Sequence, residues 1–276
     1  PRKGAAGGGG GGALDLLDLD GGGDPFGGSG GSAAPAATPK NPVLAPTQGG
    51  QGGQTGFGVM AAMVREGGQV KLMLTFSNSS QVPLSGFAIQ VNKNPFGLGP
   101  AAALQVPDIA PGSSADSVLL MNPGTLSSGT APTNPLFLQV AIKNSLDIFY
   151  FNVPFDLPVV LSESGALSRE QFTQIWQGVG EARQSTTNVN VERPLSAEEA
   201  RSRLASANIN FVGQGQVDAS TVLLYMSATA SNGSQITAEV TVSSSNTSLK
   251  IATRTETPVL VPLFEAAVSK QLGLMR

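Results

Sequence analysis

Residues 13–20, with the sequence ALDLLDLD, have the residue types and spacing of a peptide ligand. Leu14, Leu16, Leu17 and Leu19 are costly to leave in water, and the glycine-rich sequence around them offers nothing to cover them. In an extended peptide, leucines can enter alternate pockets of a partner while the neighbouring carboxylates face basic groups. This stretch is therefore predicted to bind another protein.

A second candidate binding residue is Trp176, the only tryptophan of the chain. It lies in a short predicted helix beside a glycine-rich turn, and tryptophan and tyrosine are enriched where proteins hold a ligand peptide. Arg169, Glu181 and Glu239 could form a polar rim around it. The competing interpretation is that Trp176 anchors a hydrophobic core, and residue spacing alone leaves both interpretations open.

The composition leaves little equipment for catalysis. The 276 residues include no histidine and no cysteine, which removes the commonest general base, the thiol nucleophile, the usual zinc ligands and any disulfide. A charged fraction of 13% and a net charge of −3 argue against a nucleic-acid partner, because phosphate binding needs clustered lysine and arginine. No apolar run has the length of a membrane span, and no signal peptide is recognisable. We therefore expect a cytoplasmic protein that is not an enzyme and uses neither cofactor nor metal.

Residues 1–55 are predicted to be a disordered tether. Eighteen of the 35 glycines fall within the first 53 residues, and proline, alanine, serine and glutamine make up most of the remainder. Such a segment has too little apolar side-chain surface to offset the conformational entropy of the chain. A glycine-rich coil of roughly 40 residues spans about 35 Å.

Residues 56–160 are predicted to form an antiparallel β-sandwich of immunoglobulin-like type. The stretch VKLMLTFS places Val70, Leu72, Leu74 and Phe76 on one face of a strand. Further short strand-like stretches are bounded by proline, glycine, asparagine or serine, which is typical of a sandwich. They are GFAIQV, DSVLLM, LFLQVAIK and DIFYFNV.

Residues 161–276 are predicted to form an α+β subdomain, called the platform below. Ser168 with Gln171, and Ser196 with Glu199, have the spacing of capping boxes that open helices. Strand-like stretches such as STVLLYMSAT and QITAEVTVS follow, and LFEAAVSKQLG is predicted to be a closing helix. Helices combined with an antiparallel sheet make a compact α+β unit.

Three stretches resemble the C-terminal appendage of the β-adaptins, the large subunits of the clathrin-adaptor complexes: GFAIQVNKNPFGLGP, LQVAIKNSLDIFYFNVP and ALSREQFTQIWQGVGE. The resemblance covers residues 56–276, and the glycine-rich tail resembles the hinge that precedes this appendage. Within the tail, LLDLD resembles the clathrin box. The chain starts at Pro1 without an initiator methionine, so we expect a hinge and appendage without the helical-repeat trunk. The predicted clathrin-binding residues are Leu16, Leu17, Asp18, Leu19 and Asp20.

Two further short motifs differ in their predicted setting. Asp24, Pro25 and Phe26 resemble the DPF motif that endocytic accessory proteins present to adaptor appendages, and whether any partner binds it stays open. The NPF sequence ending at Phe96 resembles a ligand motif for EH domains. Strand-like sequence just before it predicts instead that Phe96 packs in a folded loop.

The family resemblance implies two sites for short peptide motifs. On the platform the family uses an aromatic pair with surrounding charges, and one of its glutamates is replaced by Gln184, with Glu181 close enough in sequence to substitute. On the side of the sandwich the family uses a tyrosine and a lysine. Strand alternation supports this site, because it leaves Tyr150 on the face opposite Phe149 and Phe151. The platform residues implied are Trp176, Tyr225, Glu239, Arg169, Arg254 and Gln184, and the sandwich residues are Tyr150 and Lys143.

The resemblance also implies a function in vesicle-mediated protein transport. A clathrin-coat adaptor subunit would bind clathrin heavy chain through its hinge and the peptide motifs of accessory and cargo-adaptor proteins through its appendage. It would meet the other adaptor subunits through the trunk and the membrane only through the assembled complex. The expected location is cytoplasmic, on clathrin-coated pits and vesicles of the plasma membrane or the trans-Golgi network. The sequence leaves open which of these two adaptor complexes is meant.

An alternative within the same class is the ear of a monomeric clathrin adaptor. Such a gamma-type ear is a single sandwich, so the second predicted subdomain after residue 161 argues against it. An enzyme built on the α+β subdomain would need a convergent polar site, and without histidine or cysteine only scattered carboxylates and lysines remain.

Overall fold

The computed structural model describes residues 39–124 and 136–273. The LLDLD stretch at residues 16–20 and the DPF stretch at residues 24–26 lie outside these ranges, so their binding functions stay predictions. The described part contains a β-sandwich followed by an α+β platform, which confirms the predicted fold class.

The sandwich consists of two antiparallel sheets that enclose the first part of the hydrophobic core. One sheet has the strand order β1-β2-β3-β6-β5, and the other has the order β4-β7-β8. The strands are β1 (Asn41–Leu44), β2 (Phe57–Glu66), β3 (Gln69–Asn78), β4 (Ala88–Val91), β5 (Gly99–Pro100), β6 (Ser114–Asn122), β7 (Leu136–Lys143) and β8 (Ile148–Phe155).

Period-two alternation explains how these strands make a core. Val70, Leu72, Leu74 and Phe76 of β3 are all buried, as their spacing predicted. Phe57 of β2 connects the two sheets, because its ring lies 5.5 Å from that of Phe76 and 5.0 Å from that of Phe149 in β8. Aromatic pairs at these distances add to the stabilisation from area burial.

The NPF sequence is part of the folded sandwich. Phe96 is buried and its ring lies 6.3 Å from that of Phe155, edge on. The amide group of Asn94 closes the same turn, since its Oδ1 accepts from the Leu98 N–H and its Nδ2 donates to the Leu98 carbonyl. This confirms the prediction that the phenylalanine packs in a folded loop.

The sandwich begins earlier in the chain than the composition suggested. Strand β1 pairs with β2, and the glycine-rich loop after it is held by Asp147, whose carboxylate accepts from the N–H groups of Gly52 and Gln54. A Cβ atom at Gly50 would lie 2.6 Å from Oδ2 of Asp147, so glycine is needed there for close packing rather than for flexibility. The predicted tether of residues 1–55 is therefore too long at its C-terminal end.

The platform is a five-stranded antiparallel sheet with helices on both faces. Its strand order is β10-β11-β12-β13-β9. Its strands are β9 (Ser185–Asn190), β10 (Asn210–Gln216), β11 (Thr221–Thr229), β12 (Gln235–Ser243) and β13 (Ser248–Thr255), and its helices are α1 (Arg169–Val179), α2 (Ala197–Ala205) and α3 (Val261–Leu272). Short 3-10 turns span Leu157–Val160, Glu181–Arg183 and Pro258–Leu260.

The predicted capping residues begin the first two helices. The Ser168 side chain accepts from the Gln171 N–H, and the Gln171 side chain reaches back to the Ser168 N–H, which completes a capping box before α1. Ser196 likewise accepts from the Glu199 N–H before α2. These contacts satisfy backbone donors that a helix start leaves without partners.

The two faces of the platform sheet are used differently. Leu224, Met226 and Ile251 join the main core together with residues of α2 and α3, such as Phe264. The opposite face carries α1, whose buried aromatic residues contact the sheet separately from that core. Because α1 has only 11 residues, it covers part of this face and leaves the remainder accessible. We call this side of the sheet the α1 face.

Polar contacts join the sandwich to the platform. Nη1 of Arg65 donates to Oγ of Ser231 at 2.7 Å, and the Gly68 N–H donates to the carboxylate of Glu163. In addition, Lys270 of α3 forms an ion pair with Asp156, which follows the last sandwich strand. Within residues 39–124 and 136–273, no helix is long and apolar enough to cross a membrane.

Candidate functional site

The α1 face brings the predicted platform residues together. Tyr225 of β11 is directly opposite Glu239 of β12, which is in turn opposite Ala252 of β13. Arg254 lies two residues further along β13, on the same face. Gly213 of the edge strand β10 is opposite Tyr225 on its other side, so one row of the sheet runs across four strands.

Three aromatic rings pack between α1 and this row. Phe172 stacks on Trp176 with ring centroids 5.6 Å apart and 13° between the planes, because the two residues lie one helical turn apart. Phe172 also meets Tyr225 edge on, at 5.6 Å. Trp176 is 9% exposed and Tyr225 is 4% exposed, so both rings are largely covered. The sequence left open whether Trp176 is a core anchor, and its burial favours an anchoring contribution.

The guanidinium of Arg254 lies over the indole of Trp176. Its guanidinium carbon lies 4.1 Å from the centroid of the Trp176 ring, which is cation–π geometry. Nη1 donates to the Trp176 carbonyl at 2.7 Å. Nε and Nη2 both donate to Oε1 of Gln184, at 3.0 and 2.8 Å. Trp176 is therefore in contact with both Phe172 and Arg254.

Glu239 is a partly buried carboxylate in the middle of this face. Burial raises the pKa of Glu239, and the nearby positive charges of Arg254 and Lys250 only partly oppose that effect. The pKa of Tyr225 is also raised, first by burial and then by the neighbouring charge of Glu239. The face thus holds a carboxylate that is costly to ionise beside guanidinium and ammonium groups.

Arg169 extends across the edge of the sheet. A Cβ atom placed on Gly213 would lie 3.6 Å from Nε of Arg169 and 3.8 Å from Cδ2 of Tyr225. A Cβ atom on Gly215 would lie 3.5 Å from the Tyr225 hydroxyl oxygen. The two glycines therefore leave room on β10 for the Arg169 and Tyr225 side chains.

Two residues of this site were not recognised as such from the sequence. Phe172 was not singled out as a site residue, although its spacing of four residues from Trp176 already puts both on one side of α1. Lys250 lies on β13 beside Glu239, and no local motif singles it out. Gln184 itself accepts from Arg254, and the suggestion that Glu181 replaces the family's glutamate stays a prediction.

The sandwich carries a groove of about 580 Å³ on the outer side of β7 and β8. Its wall includes Pro42 and Gln48, and its floor is formed around Gln139, Tyr150 and Asn152. Most of these side chains are uncharged carboxamides or apolar groups. The groove therefore offers hydrogen-bonding amides and one aromatic ring.

Among the aromatic residues that the structure describes, Tyr150 has one of the most exposed side chains, more exposed than Phe137. It is 56% exposed while Phe149 and Phe151 are buried, which confirms the predicted alternation. Its hydroxyl donates to Oε1 of Gln51 at 3.3 Å. Lys143 lies on the same outer face of β7, opposite Ile148, but it is outside the groove lining.

Comparisons with known proteins agree with this two-part architecture. Residues 44–152 match the family model described as adaptin C-terminal domain, and residues 162–272 match the model described as beta2-adaptin appendage, C-terminal sub-domain. The chain belongs to the β-adaptin appendage family. The second range lies wholly within the described residues, the first spans the undescribed residues 125–135, and neither includes the residue 16–20 motif.

Several adaptor subunits are similar over the appendage. The AP-1 complex subunit beta-1 of Homo sapiens is 33% identical over 194 residues, which is 70% of this chain and 20% of that protein. The mouse subunit of the same name is 30% identical over 204 residues, 74% of this chain and 21% of that protein. The AP-1 complex subunit beta of Dictyostelium discoideum is 28% identical over 211 residues, 75% of this chain and 22% of that protein. The matched region is thus about a fifth of the length of these relatives.

Proposed function

We propose that this chain is the hinge and appendage of a clathrin-coat adaptor subunit. The hinge residues Leu16, Leu17 and Leu19, with Asp18 and Asp20, bind clathrin heavy chain, and the appendage binds short peptide motifs of accessory and cargo-adaptor proteins. The β-adaptin appendage family is a trafficking family, and its membership supports this assignment over an enzymatic one.

The proposal that the appendage binds peptides rests mainly on one observation: side chains from four elements come together on the α1 face. Side chains from α1, β11, β12 and β13 supply two aromatic rings, a carboxylate and guanidinium groups within one row of the sheet and its neighbour. Aromatic residues and arginine are the residue types that carry most of the binding energy at protein interfaces. Trp176, Tyr225, Glu239, Arg169, Arg254 and Gln184 are proposed to form the platform site.

The sandwich groove is proposed as a second peptide site. Tyr150 supplies an accessible ring, and Lys143 supplies a positive charge on the same outer face. A groove of about 580 Å³ falls in the range of small-molecule pockets and suits a few residues of an extended peptide.

Weak sites of this kind work by avidity. A peptide of five to eight residues loses much conformational freedom for a small contact area, so each site is expected to bind at roughly micromolar or weaker affinity. A flexible hinge raises the local concentration of linked motifs into roughly the millimolar range. Many adaptors in one coat would then assemble tightly but reversibly.

The proposed location is the cytoplasmic side of clathrin-coated pits and vesicles. The chain would reach other adaptor subunits through the trunk and the membrane through the complex, and it needs no nucleic acid, metal or cofactor for binding peptides. The alternative, the ear of a monomeric adaptor, is a single sandwich, and the platform matched by a separate family model disfavours it.

The hinge assignment is tested by the capture of purified clathrin on the immobilised full chain. We expect changing Leu16, Leu17 and Leu19 together to alanine to reduce bound clathrin heavy chain at least about tenfold, because each leucine fills an apolar pocket. Phe26→Ala in the same tail is the matched control and should retain binding. Undiminished capture by the triple variant would contradict the hinge assignment, and no capture by the unmodified chain would contradict the clathrin function.

A further inference from the structure

The platform sheet ends at β10, and one long side of this strand has no neighbour. β10 pairs with β11, and no described strand lies on its other side. We propose that this outer edge binds an extended peptide through main-chain hydrogen bonds, with a large apolar or aromatic side chain of the peptide above Gly215. The inference rests on the proposed function, because it gives the binding geometry for one class of the peptides that the appendage binds.

The turn between β10 and β11 shows which backbone groups of β10 point outward. The Val217 N–H donates to the Thr221 carbonyl at 3.0 Å, so the backbone groups of Val217 face β11. This orientation alternates along an antiparallel strand, and the register is regular on both sides of Gly215, so Gly215 also faces β11. The N–H and C=O groups of Gln214 and Gln216 therefore point away from the sheet, and both residues are exposed.

β10 lacks the features that commonly keep a free edge from pairing. Exposed edges are blunted by charged residues, by proline or by short strand length. The seven residues of β10, NFVGQGQ, include no charged residue and no proline. In the sandwich, by contrast, the edge strand β5 has two residues, β1 contains Pro42 and β8 contains Pro154. The outer side of β10 is therefore open to main-chain pairing.

Gly215 leaves a gap on the α1 face beside this edge. Side chains alternate along a strand, so a side chain at this position would lie on the same face as Tyr225. A Cβ atom there would lie 3.5 Å from the Tyr225 hydroxyl oxygen, and Val217, two residues further along, is 51% exposed. A peptide residue paired opposite Gly215 would place its side chain in this gap, where an aromatic or large apolar group compensates for the missing side chain of an edge glycine.

The length of the free edge fits a peptide better than a second copy of this chain. A β-bulge between Phe211 and Gly213 limits the regular register to residues 213–216. A stable association of two proteins buries roughly 800 Å² on each partner, and pairing along so short a stretch covers only part of that area. An extended peptide needs only to supply one strand, whose N–H and C=O groups match those of Gln214 and Gln216.

The experiment starts from a random library of 12-residue peptides, selected on the immobilised full chain. Each selected peptide is then measured against Gln214→Pro, and for one class of peptides we expect at least about tenfold weaker binding. Proline removes an N–H that points outward and leaves the hydrogen bonds between β10 and β11 in place, so the platform should stay folded, as circular dichroism can verify. Gln214→Ala removes the side chain but keeps the N–H, and it is the matched control, which should bind like the unmodified chain.

One peptide of this class is then synthesised with a single N-methyl group at each position in turn. We expect at least about tenfold weaker binding at two positions separated by one residue and little change at the residue between them, because only alternate residues donate to β10. That middle residue should be aromatic or large and apolar. Gly215→Val fills the gap and should weaken binding of this peptide about fivefold, but not binding of its variant with alanine at the middle position.

Amide hydrogen exchange of the unmodified full chain measures the same pairing independently of any variant. In the free chain, the N–H groups of Gln214 and Gln216 should exchange faster than that of Gly215. A saturating amount of the selected peptide should slow exchange at Gln214 and Gln216 by at least about tenfold. Exchange along β9, at the other edge of the platform sheet, should stay unchanged.

Each result has a distinct meaning. Loss of binding at alternate N-methyl positions, together with slowed exchange at Gln214 and Gln216, supports the proposal. Selected peptides that require Arg254 but bind Gln214→Pro as tightly as the unmodified chain would overturn it and leave the platform site in place. Peptides that require neither Arg254 nor the β10 edge would overturn the proposal and the platform site together. Self-association of the full chain that Gln214→Pro abolishes would overturn it in favour of pairing between two copies.

Discussion

The platform face and the sandwich groove present their aromatic residues in opposite ways. On the platform, Trp176 and Tyr225 are 9% and 4% exposed and are covered by Phe172 and Arg254. On the sandwich, Tyr150 is 56% exposed and its hydroxyl donates to Gln51. We therefore expect the buried rings of Trp176 and Tyr225 to contribute to the stability of the fold, and the exposed ring of Tyr150 to contribute little.

The largest expected effect comes from removing the ring that links the platform aromatics. Phe172→Ala deletes a fully buried side chain in contact with both Trp176 and Tyr225, so the free energy of unfolding should fall by about 3 kcal/mol or more. Chemical denaturation followed by circular dichroism measures this change. A loss below about 1 kcal/mol would show that the aromatic cluster is not a structural unit.

The next largest loss of stability is expected when the guanidinium of Arg254 is removed from the Trp176 ring. Arg254→Ala removes the cation–π contact and three hydrogen bonds, and we expect about 1–3 kcal/mol of lost stability. Because Trp176 is the only tryptophan, its fluorescence reports the change directly: emission should move to longer wavelength and acrylamide should quench it more strongly. Unchanged emission would contradict the stacking described here.

A pH-dependent effect distinguishes the platform carboxylate from an exposed one. Burial raises the pKa of Glu239 above its unfolded value, so the folded state is penalised when this group is ionised and the penalty disappears as the pH falls through the raised pKa. Glu239→Gln should therefore be more stable than the unmodified chain at pH 7, and the difference should shrink on acidification. Thermal melts of both proteins between pH 4 and pH 7 measure it, and a constant difference would contradict the assignment.

A smaller and more local effect is expected in the wall of the sandwich groove. Three backbone N–H groups, of Gly52, Ile148 and Gln54, donate to Asp147 and lower its pKa, so the ionised carboxylate fastens the loop that carries Gln51. This contribution is present at neutral pH and is lost as the pH falls through the lowered pKa. Asp147→Asn should speed hydrogen exchange at Gly52 and Gln54 without changing exchange in the platform. Equal exchange in both proteins would show that other contacts hold the loop.

The smallest effect on stability is expected at Tyr150 itself. Tyr150→Ala removes a side chain that is more than half exposed, and the free energy of unfolding should change by no more than about 0.5 kcal/mol. A loss as large as that of Phe172→Ala would remove the contrast between the two regions. Denaturation of both variants under the same conditions makes the comparison.

Local patterns in the sequence were sufficient to predict many elements of the fold. The capping-box patterns at Ser168 and Ser196 predicted helix starts, where the structure has a full box at Ser168 and a single N-cap bond at Ser196, and alternation around Tyr150 orients β8, because these signals depend only on neighbouring residues. Strand β1 and its loop were missed, because a glycine-rich composition resembles a tether. Strand β1 is held by its pairing with β2, and the loop is held by Asp147, which is more than 90 residues away in the chain.

At the platform site, too, local sequence patterns were informative, whereas contacts between residues distant in the chain could not be predicted. Trp176 and Arg254 are separated by 78 residues, and only the packing of α1 against β13 brings the guanidinium onto the indole. The family resemblance identified both residues but gave no indication that Trp176 is covered. The neutral contact with Gln184 likewise follows from the geometry at the end of α1 and not from any motif.

The most direct test of the proposed platform site follows the emission of Trp176 while a peptide selected for binding to the full chain is titrated into it. Binding at the α1 face should change the emission in a saturable way, with a midpoint at roughly micromolar concentration, and Tyr150→Ala should leave the titration unchanged. If calorimetry detects binding while the emission stays constant and Tyr150→Ala abolishes the heat, the peptide binds in the sandwich groove. That result would contradict the assignment of the platform as the peptide site.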